Sequence, residues 1–273
     1  MFVNLRRTLK RKNIILLREL VITDFKLRYQ GSFLGYVWSL LRPLLLFAIM
    51  YLVFVYFLRF GEGIEHFAVS LLLGIVMWTF FSEATNQGMR AIIDRGDLLR
   101  KINFPKYILV ISATISALIN FTLNLIVVFV FMLLDGVNFG WTALLFPFTI
   151  LLLYIFSLSL AFFLAAVNVK FRDIGHIWEI LLQALFYATP ILYPVQMVMA
   201  FSVTAAQFLL LNPLAALFQN SRAQLFGYEN VVTPSQLFSS TLWLAIPYMI
   251  ILATIFISIW YFRRSQSKFA EIV

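Results

Sequence analysis

Six stretches of this chain, at residues 33–58, 67–90, 107–134, 142–169, 176–200 and 238–262, are long and apolar enough to cross a bilayer. Nothing constrains the fold more. Inside hydrocarbon every backbone N–H and C=O needs a partner within the protein, and a single apolar run can supply those partners only by coiling into a helix. With 62% hydrophobic residues, 12% charged and a mean hydropathy of +0.93, the chain falls outside the soluble range, where about a quarter of residues are charged. The sequence predicts an all-α, polytopic membrane protein with six transmembrane helices. Sharing 273 residues among six spans leaves room for one domain, 1–273. It divides into a tail and interface helix (1–32), a membrane domain (33–262) and a short tail (263–273).

Charge fixes the expected orientation. Of the 21 Lys and Arg, eighteen fall in the N-terminal tail, in 90–106, at Lys170 and Arg172, and after Phe262; Arg59 and Arg222 fall in the alternate loops. Cationic loops stay in the cytoplasm, so both termini are expected there, in agreement with an even number of spans. The net charge of +9 is spread over four loops. It reads as a topology signal, and nucleic acid is not an expected partner. The absence of cysteine, with only His66 and His176, removes disulfides, Cys-based zinc sites and His-cluster metal sites. Residues 1–13 are too polar for a signal-peptide core, so no cleavage is expected.

Two segments are helical without being long enough or apolar enough to span. In 14–29 the apolar Ile14, Leu17, Leu20, Val21 and Phe25 share one arc, which predicts an amphipathic helix on the membrane surface. Asp24 falls inside that arc; it either pairs with Arg28 at i,i+4 or marks a helix end breaking up at the interface. Between spans five and six, Phe208 to Phe218 is strongly apolar but too short to cross, and Pro213 interrupts it. The reading is a pair of short re-entrant extracytoplasmic helices, with a surface hairpin as the alternative.

Motifs for phosphate binding (GxxxxGK[ST]), HExxH and GxSxG are absent, so any ATP must be hydrolysed on another chain. Two ionisable residues lie within spans, Arg42 and Glu83, at similar depths of about 10–14 Å from the cytoplasmic side. They pair, or face a hydrated path, or snorkel separately to the interface. The loop Asp94-Arg95-Gly96-Asp97-Leu98-Leu99-Arg100-Lys101-Ile102-Asn103-Phe104-Pro105-Lys106 carries more apolar residues than a topogenic loop needs. Leu98, Leu99 and Phe104 suggest a short helix that docks into a partner's groove.

The block from Asp24 through Gly31-Ser32, Leu34-Gly35-Tyr36-Val37-Trp38 and Arg42-Pro43, followed by the loop 94–106, Val169 to Ile174, Ala188-Thr189-Pro190-Ile191-Leu192-Tyr193-Pro194 and Leu211-Asn212-Pro213-Leu214, resembles the permease subunits of type-2 ABC polysaccharide exporters. The likeness runs from about residue 14 to 262 and leans toward the O-antigen exporters over the teichoic-acid and capsule exporters. It implies a subunit of the cytoplasmic (inner) membrane that is not itself an enzyme. Its implied partners are a second copy of itself, two ATP-binding subunits that hold ATP and Mg, membrane lipids, and an undecaprenyl-pyrophosphate-linked polysaccharide. It implies that Asp94, Arg95, Asp97, Leu98, Leu99, Arg100, Lys101, Phe104 and Pro105 form the contact with the ATPase. Arg28, Tyr29 and Arg42 would receive the pyrophosphate end. Tyr36, Trp38, Phe186, Tyr187 and Tyr193 would face the polymer path, where aromatic faces can stack on sugar rings; Glu83 is a candidate for the same path from its place inside a span.

Two rivals remain at this level: an ABC permease for a drug or lipid, and a membrane-embedded transferase acting on lipid-linked sugars. The transferase would need an acid, base or metal site among Asp94, Asp97, Asp173 and Glu179. Their interspersed cations make loop ion pairs the simpler reading of those acids.

Overall fold

The computed structural model describes residues 11–29, 35 and 37–269, and among them the chain is helical with no strand. Five helices among the described residues are long and apolar enough to cross a membrane. α2 (Val37–Met50) continues without a break into a π-helix at Tyr51–Phe57; α3 is Phe67–Arg90 and α5 is Tyr107–Leu134. α6 (Phe146–Lys170) follows a 3-10 turn at Trp141–Leu145, and α12 is Thr241–Ser265. These agree with the expected spans one to four and six to within a few residues.

α3 is the centre of the bundle. Its most apolar stretch is 78% buried, against 6% for α2 and 17% for α12. Lipid tails are as apolar as leucine, so spans associate through close packing and polar contacts, and small residues decide where backbones can meet. Gly88 of α3 shows this: a Cβ there would lie 2.5 Å from the Cβ of Ala161 on α6. Polar side chains stitch the helices as well, with Asn168 of α6 donating to the Met89 carbonyl of α3 at 3.2 Å and Asn124 of α5 to the Ser39 carbonyl of α2 at 3.2 Å.

The expected fifth span, 176–200, is not one helix. α7 (Ile174–Tyr187) has 14 residues, about 21 Å of rise, and stops before the turn Ala188–Pro194; α8 (Val195–Phe201) follows. Hydropathy registers only that the whole run is apolar. Pro190 and Pro194 remove backbone donors and push the residues before them out of the helical region, so the second half of the run cannot continue α7.

Pro213 acts as anticipated. α9 (Val203–Leu210) ends there and α10 (Pro213–Phe226) begins, with the Asn212 side chain accepting from the Leu214 N–H at 3.0 Å. α10 is no surface hairpin: Pro213 to Gln219 and Ser221 to Phe226 are buried, packed against α6, α3 and α12. A short turn, α11 (Pro234–Leu237), leads to α12.

At the end of the bundle that carries the basic loop, α1 (Arg11–Tyr29) lies against α5, and α4 (Gly96–Lys101) forms within the loop. Leu20 of α1, Ile92 and Leu99 of the loop, and Phe262 and Phe269 near the C-terminus share one apolar cluster, with Leu16 and Leu17 packed on it. Ile14 of the predicted arc is 52% exposed, and the Phe25 side chain lies outside the described residues.

Candidate functional site

The basic end is organised around α4. Its acid, Asp97, is in the first turn and Arg100 and Lys101 are in the last, which suits the helix dipole. Leu99 is buried against the bundle and Leu98, Phe104 and Pro105 are half-buried, whereas Asp94, Asp97, Arg100 and Lys101 are exposed. The short helix therefore has an apolar face seated on the protein and a charged face turned outward.

Three tethers fix that seat. Arg95, just before α4, is ion-paired through Nη2 with Oδ1 of Asp24 on α1, and both side chains are 20% exposed. Lys106 donates to the Gln266 carbonyl at 2.7 Å, with its ammonium 5.9 Å from the centre of the Phe269 ring. Arg90, at the end of α3, is 3.2 Å from Glu179 of α7. Asp24 therefore reaches a partner distant in sequence; the Arg28 side chain, its expected i,i+4 partner, lies outside the described residues. Burial draws the Arg95 guanidinium below its ordinary pKa, because desolvation disfavours its charged form. The start of α4 is thus joined to α1 by an ion pair and to α3 by the short stretch of chain between them.

A second feature is the groove between α3 and α7, about 550 Å³, lined by Trp78, Ser82, His176, Glu179, Gln183, Phe186 and Tyr187, with Ile180 and Leu182. The Trp78 and Phe186 rings meet edge to face at 5.4 Å, and Tyr187 is 66% exposed. α7 is anchored by Trp178, whose Nε1 donates to Thr85 Oγ1 at 3.3 Å. Tyr193, in the turn after α7, donates its hydroxyl to the Tyr187 carbonyl at 2.8 Å. Aromatic faces beside amide, hydroxyl and carboxylate groups can hold a polar polymer without a deep cavity.

The remaining predicted residues scatter. Trp38 and Arg42 are exposed on α2. Glu83 accepts from Gln87 at 2.8 Å and from Asn120 at 3.0 Å, and among the described residues no ion pair joins it to Arg42. Two neutral donors already serve that carboxylate. Tyr36 and the side chains of Arg28 and Tyr29 lie outside the described residues.

Sequence reasoning missed Trp78, Ser82 and Gln183 and read Glu179 only as a loop acid. A signal existed in the spacing: Glu179, Gln183 and Tyr187 recur every four residues, as do Trp78 and Ser82, which puts each set on one helical face. Arg222, counted as a loop cation, is 3% exposed inside α10. Its guanidinium donates to the carbonyls of Pro190 at 2.5 Å and Ile191 at 3.1 Å and to Gln219 Oε1 at 3.1 Å. It clasps the turn after α7 to α10.

Residues 16–226 match the family model described as ABC-2 type transporter. An O-antigen export system permease protein RfbA of Myxococcus xanthus is 34% identical over 266 residues, 94% of this chain and 95% of that protein. Two proteins of the same name from Klebsiella pneumoniae are 28% identical over 256 residues (92% of each chain) and 25% identical over 201 residues (73% of this chain, 75% of theirs).

Proposed function

Because the chain belongs to the ABC-2 type transporter family, we propose that it is the permease subunit of an ATP-driven exporter of a lipid-linked, O-antigen-like polysaccharide. The observation that carries this reading is the near full-length likeness to export permeases, met by a loop built as a seated, outwardly charged helix.

The chain is a multi-pass membrane protein, and in this reading it crosses the inner membrane six times as a single domain over 1–273. α7, the turn Ala188–Pro194 and α8 together make the fifth crossing. α9 and α10 are re-entrant from the outer side, and α1 lies in the inner interface. Both termini are then cytoplasmic. Two copies assemble with two ATP-binding subunits, which hold ATP and Mg and dock on the exposed face of α4. The α3/α7 grooves of the two copies face each other and carry the glycan past Trp78, Phe186 and Tyr187. Arg28, Tyr29 and Arg42 receive the pyrophosphate end of the undecaprenyl-linked chain at the inner leaflet.

The mechanism follows from the tethers. Closure of the ATPases displaces α4; the Asp24–Arg95 pair carries α1 with it, and the Arg90–Glu179 pair links α3 to α7 across the groove. A hydrolytic step on this chain is not required.

Purification of the tagged chain from native membranes, with mass spectrometry of its partners and an ATPase assay, tests the reading. A separate Walker-type ATPase in equal amount, together with intracellular accumulation of lipid-linked polysaccharide when the chain is deleted, is the expected result. A chain that purifies alone and turns over a lipid-linked sugar overturns it in favour of a transferase.

A further inference from the structure

At the end of the bundle opposite α4, a cleft of about 720 Å³ opens between the π-helical end of α2, the loop 58–66 and Asp135 after α5. That volume is in the range of small-molecule sites. Three uncommon backbone features meet in it. The π-helix Tyr51–Phe57 is seven residues long, where such windings are rare and are commonly found at functional sites. Arg59 and His66, at φ 53° and 57°, are the non-glycine residues with positive φ among those described, and both line the cleft. Holding two such residues in the left-handed region costs of order 1 kcal/mol or more each, and it persists only where the surroundings impose it. Gly61, also in the cleft at φ 82°, leaves no room for a Cβ against the Phe67 ring. The loop is a tightly specified shape.

Its chemistry is equally specific. Tyr56 and Phe57, 71% and 68% exposed, present uncovered rings at its edge. Arg59 is 3.9 Å from Glu62, and His66 Nδ1 is 2.7 Å from Asp135 Oδ2. Arg59 is matched by Glu62 and His66 is hydrogen-bonded to Asp135, so the lining offers several donors and acceptors already engaged with one another. With Nδ1 committed to Asp135, His66 keeps Nε2 for a ligand. A phosphate would meet two carboxylates, and a zwitterionic lipid headgroup would have to break existing pairs. A neutral polyol with apolar ring faces fits both features, its C–H faces on the aromatics and its hydroxyls on the charged groups.

We propose that this cleft is a saccharide-binding subsite at the outer mouth of the protein, in which Tyr56 and Phe57 stack on sugar rings while Arg59, Glu62, His66 and Asp135 hydrogen-bond their hydroxyls. The outward placement rests on the export reading. The subsite holds a segment of emerging glycan and so disfavours backsliding between power strokes.

The test uses the full chain with its co-purified ATPase in nanodiscs. The probe is short oligosaccharide released by mild acid from the host's own surface polysaccharide, with binding read by saturation-transfer NMR in the absence of ATP. Tyr56→Ala and Glu62→Gln, both at highly exposed positions, are expected to weaken binding about fivefold or more, with thermal midpoint and ATPase rate unchanged. His66→Asn, which retains a residue that tolerates positive φ, is expected to weaken it too. Unchanged affinity in these variants, or displacement of the oligosaccharide by added phosphatidylethanolamine, overturns the proposal. Failure of the export reading shows elsewhere, as normal surface polysaccharide in a strain lacking the chain.

Discussion

Asp24 of α1 and Arg95 of the loop before α4 form an ion pair that joins the first described helix of the chain to the element that faces the proposed partner. Both side chains are mostly buried, and Nη1 of Arg95 is buried without a hydrogen-bond partner among the described residues. The pair is therefore poorly replaced by water when one member is removed. Asp24→Asn or Arg95→Gln is expected to destabilise the protein by about 2 kcal/mol, between the values for exposed and for fully buried pairs. The exchange Asp24→Arg with Arg95→Asp should recover part of that loss. A double variant no better than the singles in thermal midpoint would show that the pair is incidental.

The clasp between α10 and the turn after α7 is sensitive at Gly74 of α3. A Cβ at that position would lie 2.6 Å from Arg222 Nη2, the atom that donates to the Ile191 carbonyl. Gly74→Ala is expected to cost about 2 kcal/mol by crowding a buried guanidinium off its acceptors. Gly140→Ala, whose Cβ would meet Thr142 Oγ1 at 3.6 Å, is the neutral control. Equal thermal midpoints for the two variants would refute the clasp.

Arg222→Lys should be as damaging as Gly74→Ala. One ammonium cannot reproduce the spread of a guanidinium over the Pro190, Ile191 and Gln219 oxygens. Retained assembly with a shifted limited-proteolysis pattern around 188–194 is the expected signature.

Close packing of α3 on α6 depends on Gly88. Gly88→Val is expected to lower stability by about 2–3 kcal/mol, because Ala161 leaves no space for it. Gly175→Ala, whose Cβ would sit 3.8 Å from the flexible end of Met89, should be tolerated. Detergent-extracted yield and thermal midpoint measure both.

Tyr187→Ala removes an exposed ring from the groove without removing its carbonyl, which still accepts from Tyr193. The fold should survive, and polysaccharide at the cell surface should fall about three- to tenfold while the ATPase rate of the purified complex is kept. Unchanged export in Tyr187→Ala and Phe186→Ala together would move the glycan path away from α7.

The helices were legible because hydropathy and helical period are properties of a chain read locally. The spans Phe67–Arg90 and Tyr107–Leu134, and the stop at Pro213, needed only the residues within them. α7 was misjudged because a window averages apolarity and gives no weight to the missing donors of Pro190 and Pro194. The loop 94–106 was legible as a short helix because its leucines were out of place for a purely cationic turn, but Leu98, Leu99 and Phe104, expected to enter a partner's groove, pack on this chain's own bundle.

Composition and residue order determined that the chain enters a membrane as helices and where most of them begin and end, since backbone satisfaction in hydrocarbon permits little else. Only the tertiary structure decided that Asp24 meets Arg95, that Arg222 is buried on the carbonyls of Pro190 and Ile191, and that Trp78 faces Phe186. Those partners lie on segments far apart in the chain. Which helical faces meet depends on small-residue contacts such as Gly88 against Ala161, a relation between distant segments that no local window contains.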